Sequence, residues 1–180
     1  MSTSLVTTVI GRDRPGIVNE LSDVAQRFGA NWAGSRMASL AGQFAGMVHF
    51  EVTAEAADGL ARALRELESS GLQVVIARSD AAAAPAGARR VLGLELVGQD
   101  RPGIVREVSA RLAQAGVSIE ELRTEVESAP MSAEHLFRMS ASLSVPEHLS
   151  DAAVQRTLES VANEMMVDVT VGAQTDADDG

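Results

Sequence analysis

Two stretches carry the residues best suited to chemistry: Gly11-Arg12-Asp13-Arg14-Pro15-Gly16-Ile17-Val18 and Gly98-Gln99-Asp100-Arg101-Pro102-Gly103-Ile104-Val105. Each follows an apolar run of strand character and opens an amphipathic run of helix character. The first N–H groups of a helix have no acceptor within it, and the helix dipole places positive charge beside them. A glycine at that point lets a ligand approach the backbone with no Cβ in the way. The combination suits a carboxylate. The same residues also read as a tight strand–helix turn that binds nothing, with Asp13 or Asp100 capping free N–H groups and Pro15 or Pro102 at the first helical position.

Other chemistry finds little support. His49, His135 and His148 lack the spaced partners of a zinc site. Glu121, Glu125 and Glu127 share one face of an expected strand, where mutual repulsion calls for solvation rather than acid–base work. With no cysteine there is no thiol catalysis, thiolate metal site or disulfide. No nucleophile elbow, P-loop or dinucleotide fingerprint is present. The expectation is no enzyme, no metal and no cofactor.

The elements that must hold the turns follow from periodicity. In the first half, a strand over 5–10 leads into the turn. A helix then carries Ile17, Val18, Leu21, Val24, Ala25 and Phe28 on one face and stops at Gly29. Strands follow over 31–39 and 44–52, the second alternating Phe44, Val48, Phe50 and Val52 against His49 and Glu51. A second helix carries Leu60, Leu64 and Leu67, and a last strand spans 72–77. The second half repeats this order at an offset of 87 residues, with Glu20 matching Glu107, Gly29 matching Gly116 and Arg36 matching Arg123. Its second helix carries Leu149, Ala153, Val154, Leu158 and Val161. In its third strand Arg138, Ser140, Ser142 and Ser144 form a polar face. The expected class is α+β: two tandem ferredoxin-like βαββαβ domains, each a four-stranded antiparallel sheet with two helices on one face. Residues 1–79 form the first domain, 80–89 a linker, 90–172 the second domain and 173–180 an acidic tail.

The chain has 180 residues, a net charge of −10 and 46% hydrophobic residues, the composition of a globular protein. Seven Arg oppose nine acids through Ala84, and eight oppose sixteen beyond it. An acidic chain is repelled by phosphate backbones, so direct binding to nucleic acid is not expected. The lack of a long apolar span or a basic leader points to a cytoplasmic protein without membrane attachment. Open four-stranded sheets leave edges to be covered, which favours a homodimer or larger assembly.

The Gly-x-Asp-Arg-Pro-Gly-Ile-Val turn, the glycine about a dozen residues later, and then Asn31 or Ser118-Ile119-Glu120 together resemble the ACT domain. Two copies and nothing else, at this length, are similar to the glycine cleavage system transcriptional repressor family. The turn also resembles the N-terminal part of formyltetrahydrofolate deformylase, whose separate catalytic domain this chain lacks. ACT domains regulate amino-acid metabolism by binding amino acids between the first turn of one domain and the second strand of a packed neighbour. The resemblance therefore implies ligand contacts at Asp13, Arg14, Pro15, Gly16, Ile17 and Asn31, and at Asp100, Arg101, Pro102, Gly103, Ile104 and Ser118. It implies a small amino-acid effector such as glycine, and a protein partner such as a DNA-binding regulator. Two alternatives stand beside it: a protein-interaction module whose turns bind nothing, and a detached regulatory subunit of an amino-acid or one-carbon enzyme. Ala33-Gly34-Ser35 stands where the second repeat has Glu120-Glu121-Leu122, so at most one turn is expected to work.

Overall fold

The computed structural model describes residues 2–79, 87–128 and 135–173. The acidic tail beyond Ala173, most of the linker and the turn around Pro130 lie outside the described residues. The chain divides into two units, Met1–Ala84 and Pro85–Gly180.

In the first unit, β1 (Ser2–Arg12) leads to α1 (Ile17–Arg27), β2 (Asn31–Leu40), β3 (Gln43–Thr53), α2 (Ala54–Glu66), a 3-10 turn (Leu67–Ser70) and β4 (Leu72–Ser79). The second unit repeats this as β5 (Arg89–Gln99), α3 (Ile104–Gln114), β6 (Ser118–Ser128), β7 (His135–Pro146), α4 (Asp151–Met165) and β8 (Val167–Gly172). Each sheet is antiparallel throughout, in the orders β2-β3-β1-β4 and β6-β7-β5-β8. The expected fold class is the observed one.

Strand alternation and helix periodicity bury one face of each sheet beneath its two helices. In the first unit Leu5, Val9, Phe44, Val48, Phe50 and Val52 meet Ile17, Leu21, Val24, Leu60 and Leu64. Trp32 stands edge-on to Phe50, with ring centroids 5.3 Å apart. In the second unit Leu92, Leu94, Leu96, Met139 and Leu143 meet Ile104, Val108, Leu112, Val154, Leu158 and Val161. A scarcity of aromatics has left cores built largely of branched aliphatic side chains.

Three expectations are corrected. The helices start at Ile17 and Ile104, not at the prolines, because Gly16 and Gly103 hold φ of +95° and +99°. That conformation lies outside a right-handed helix. Val18 turns outward and is 47% exposed, although the expected helix face included it. The polar face of β7 is not solvated along its length. Ser142 and Ser144 are buried, and Arg89 lies over Ser144, donating to its Oγ (2.8 Å), to its carbonyl (2.5 Å) and to the carbonyl of Gly116 (3.0 Å). The guanidinium satisfies polar groups that would otherwise be costly to bury.

Candidate functional site

Each turn is pinned at its entrance and open at its exit. The N–H of Asp13 donates to the carbonyl of Gly42 in the β2–β3 hairpin (3.0 Å), and that of Asp100 donates to the carbonyl of His135 (2.9 Å). The first helical bonds run from Glu20 to Gly16 and from Glu107 to Gly103, both 2.9 Å. The N–H groups of Ile17, Val18 and Asn19, and of Ile104, Val105 and Arg106, therefore have no acceptor within their helices. The left-handed glycine is what turns the chain sharply enough to leave them facing out. No side chain caps either helix start. The capping role expected of Asp13 and Asp100 is thus not taken up, and both residues are exposed. Ile17 and Ile104 anchor the turns from below, buried in their cores.

The two turns differ in what holds the arginine. Arg14 grips Glu20 with both ends of its guanidinium, at 2.5 and 2.8 Å. Ser70 joins them, accepting from Arg14 (3.2 Å), while its single hydroxyl proton is shared between the Leu67 carbonyl (2.7 Å) and Glu20 (3.3 Å). This ties the turn to α1 and to the 3-10 turn before β4. Hydrogen bonding and charge from Arg14 hold the Glu20 carboxyl below the usual carboxylate range, against a smaller opposing cost of burial, and the same bond raises Arg14. In the second unit, Glu107 instead pairs with Arg106 (2.7 Å), and Arg101 donates to the amide oxygen of Gln99 (3.1 Å). Among the described residues no carboxylate neutralises Arg101. Sequence reading matched Glu20 with Glu107 but gave neither a role. Equivalent glutamates take different partners because Arg106 stands where the first repeat has Asn19.

A carboxylate whose pKa falls on folding adds stability that is present above its unfolded value, near pH 4.3, and is lost as the pH drops through the folded value. Glu20→Gln is therefore expected to lower the denaturation midpoint at pH 7, with the difference from the parent closing below about pH 4. A difference of constant size down to pH 3 would mean that Glu20 acts by packing alone.

Strand register separates the remaining candidates. Arg12, at the turn, pairs with Gln43 at one end of β3, whereas Asn31 pairs with Glu51 at the other end, itself opposite Ser4. Eight residues of extended strand are about 27 Å. Ser118 is likewise opposite Ser144, whose partner Val91 lies eight positions before Gln99. Within a unit, then, neither Asn31 nor Ser118 reaches its own turn. Asn31 instead donates to Glu51 (3.4 Å). The histidines are also dispersed. His49 meets Ser4 Oγ at 3.0 Å, and among the described residues no cluster of three or more metal-ligating side chains occurs. The glutamates of β6 stand on an exposed strand, with Glu127 paired to Arg138 (3.3 Å). No helix among the described residues is long and apolar enough to cross a membrane.

A protein-family model for the ACT domain matches residues 3–77 and again 91–172. The chain belongs to the ACT domain family. Both matched segments run from a unit's first strand to its last, so the paired turns are equivalent points of two ACT domains. A crystal structure of an unknown protein from Galdieria sulphuraria is 34% identical. It aligns over 97% of this chain and 100% of its own, with a TM-score of 0.82. A protein proposed to be a glycine cleavage system transcriptional repressor shares the fold at 19% identity. It covers 96% of this chain and 97% of its own, with a TM-score of 0.69. No curated protein matches the sequence.

Proposed function

We propose that this ACT protein is a non-enzymatic sensor of a small amino acid, with the second turn as its working site. It would pass the ligand state to a protein partner, such as a DNA-binding regulator. The observation that supports this most is Arg101, which no carboxylate among the described residues neutralises, beside the open N–H groups of Ile104, Val105 and Arg106. A ligand carboxylate there meets the helix dipole and a guanidinium whose charge is not already spent. At the first turn Glu20 has taken the corresponding guanidinium, and its own negative charge opposes a second carboxylate. Asp100, Pro102 and Gly103 shape the working turn. Ser118 and Asn31 stand too far along their sheets to serve their own turns. In this reading they would reach a ligand only from a packed neighbour, as in a homodimer. The protein related by fold and proposed to be a glycine cleavage repressor makes glycine the first ligand to test. The net charge of −10 favours action through a protein rather than on DNA.

Calorimetric titration with glycine, and then with the other amino acids, tests the reading. One of them is expected to bind, and Arg101→Ala should weaken it about tenfold or more, the worth of one charge-assisted hydrogen bond. Arg14→Ala should change it little. Failure of every amino acid to bind would return the turns to a structural role and favour the interaction-module alternative. Loss of binding in Arg14→Ala alone would move the site to the first turn.

A further inference from the structure

Away from both turns, the first unit carries a concentration of positive charge in an acidic chain. On α2, Asp58, Arg62 and Arg65 recur at i, i+4 and i+7, one stripe along the helix. On β4, an edge strand, Arg78 has the same parity as buried Leu72 and Val74 and so lies on the helix side. The two rows border a concavity of about 480 Å3 lined by Asp58, Ala61, Arg62, Arg65, Ile76 and Arg78. Its floor is apolar, from Ala61 and the half-buried Ile76, and its rim holds three guanidinium groups against one carboxylate. Arg78 pairs with Asp58. Arg62 reaches only the Asp58 carbonyl, at 3.4 Å. Among the described residues Arg65 has no hydrogen-bonding or ionic partner. Arg62 and Arg65 are thus two positive charges with no counter-charge among the described residues.

The second unit shows that the fold does not require this. The buried residues Ala57, Ala61 and Leu64 of α2 match Val154, Leu158 and Val161 of α4 in spacing. Asp58, Arg62 and Arg65 then correspond to Gln155, Glu159 and Ala162. There the helix and edge strand are closed by Gln155, which donates to the carbonyl of Val169 (3.2 Å) and accepts from the N–H of Val171 (3.1 Å). The first unit has an open, arginine-rimmed groove in the equivalent place.

We propose that the α2–β4 groove of the first unit is a second ligand site, taking a small dianion of phosphate-monoester or dicarboxylate type. Two unmatched guanidinium groups balance two negative charges, and the planar fork of arginine binds either oxyanion through paired hydrogen bonds. A pocket of this size admits a small metabolite. The site is separate from the amino-acid turn and stands or falls without it.

The test is calorimetric titration of the full chain with inorganic phosphate and, separately, with succinate at low ionic strength. Saturable binding of at least one is expected, with a dissociation constant at or below about 1 mM. Tighter phosphate binding assigns the site to phosphorylated ligands, and tighter succinate binding to dicarboxylates. Arg65→Ala should weaken binding about tenfold or more without altering the melting temperature, since Arg65 is exposed. Asp58→Asn removes the competing carboxylate and releases Arg78, so affinity should rise about threefold or more. A merely structural ion pair predicts no such gain. Absence of saturation with both anions would overturn the proposal. So would undiminished binding in Arg65→Ala, which would place the anion elsewhere.

Discussion

Gly16→Ala and Gly103→Ala are each expected to destabilise the protein by about 1–2 kcal/mol, the cost of holding an L-residue in left-handed backbone. For a unit of this size that lowers its melting temperature by about 4–8 °C per kcal/mol. Space is not the reason, since a Cβ at either position meets nothing within 4 Å. The reason is φ, +95° at Gly16 and +99° at Gly103. Alanine would also narrow the unfolded ensemble, which stabilises only where the native conformation is compatible, and here it is not. Asparagine tolerates positive φ better than alanine does, so Gly16→Asn and Gly103→Asn should lose less. Thermal or chemical denaturation of the four variants gives the order. Alanine variants as stable as the parent would show that the turn can relax into ordinary helix. The same reasoning makes these alanine variants poor probes of ligand approach, because lost binding could come from the distorted turn. Arg101→Ala, which leaves the backbone unchanged, separates the two.

The sequence placed glycine in each turn but not its conformation. An ordinary helix start of the form Asp-x-Pro-Gly would have put proline at the first helical position and glycine inside the first turn. A residue's φ depends on how the chain must leave the strand, and here the departure is set partly by the hydrogen bonds from Asp13 to Gly42 and from Asp100 to His135. Those acceptors lie about thirty residues further along, beyond any local signal. Element order was legible because it rests on periodicity: the alternation in β3 and the spacing of Leu21, Val24 and Leu64 survive any misplacement of a helix end. The duplication added a check, since each reading had to hold twice.

Charge partners were less legible. Arg106 beside Glu107, where the first repeat has Asn19, is a local signal for the second pair, but nothing local shows that Ser70, fifty residues away, joins Arg14 and Glu20 in the first. The groove between α2 and β4 gave half a signal. Asp58, Arg62 and Arg65 already sit on one helical stripe, but Arg78 joins them only once β4 pairs at the edge of the sheet. The distance of Asn31 and Ser118 from their turns was readable in principle, since an antiparallel β2–β3 pair must return Asn31 to the far end of the sheet. It required the register, and the hairpin at Ala41–Gly42 supplies that register only after the bulge between Trp32 and Gly34 is known.

The other glycine of each motif is expected to fail for a different physical reason, and with a larger effect. Gly98 closes β5 opposite Val167 of β8, with extended backbone that any residue can adopt. A Cβ there would stand 2.5 Å from Val167 Cγ1 and 2.9 Å from its Cα and Cβ. The side-chain methyl could rotate away, but the α-carbon cannot, so β8 must move outward from the sheet. At Gly11 the added carbon meets Leu72 Cδ2 at 2.8 Å and the carbonyl oxygen of Gly71 at 2.9 Å, and again a backbone atom blocks the simple escape. Overpacking of this kind costs about 1–3 kcal/mol. Gly98→Ala should lie at the upper end, because all three contacts fall on one β-branched residue with little freedom at χ1. Gly34→Ala is the control, with no positive φ and nothing within 4 Å of the new carbon. It is expected to change stability by less than about 0.5 kcal/mol. Hydrogen exchange distinguishes the two failures. Gly98→Ala should loosen the amides of β8 and leave α3 protected, whereas Gly103→Ala should loosen the first turn of α3 and leave β8 intact. A Gly98→Ala protein with parental stability and an unaltered β8 would show that the strands already stand far enough apart for a side chain. The first glycine of the motif would then have no structural role.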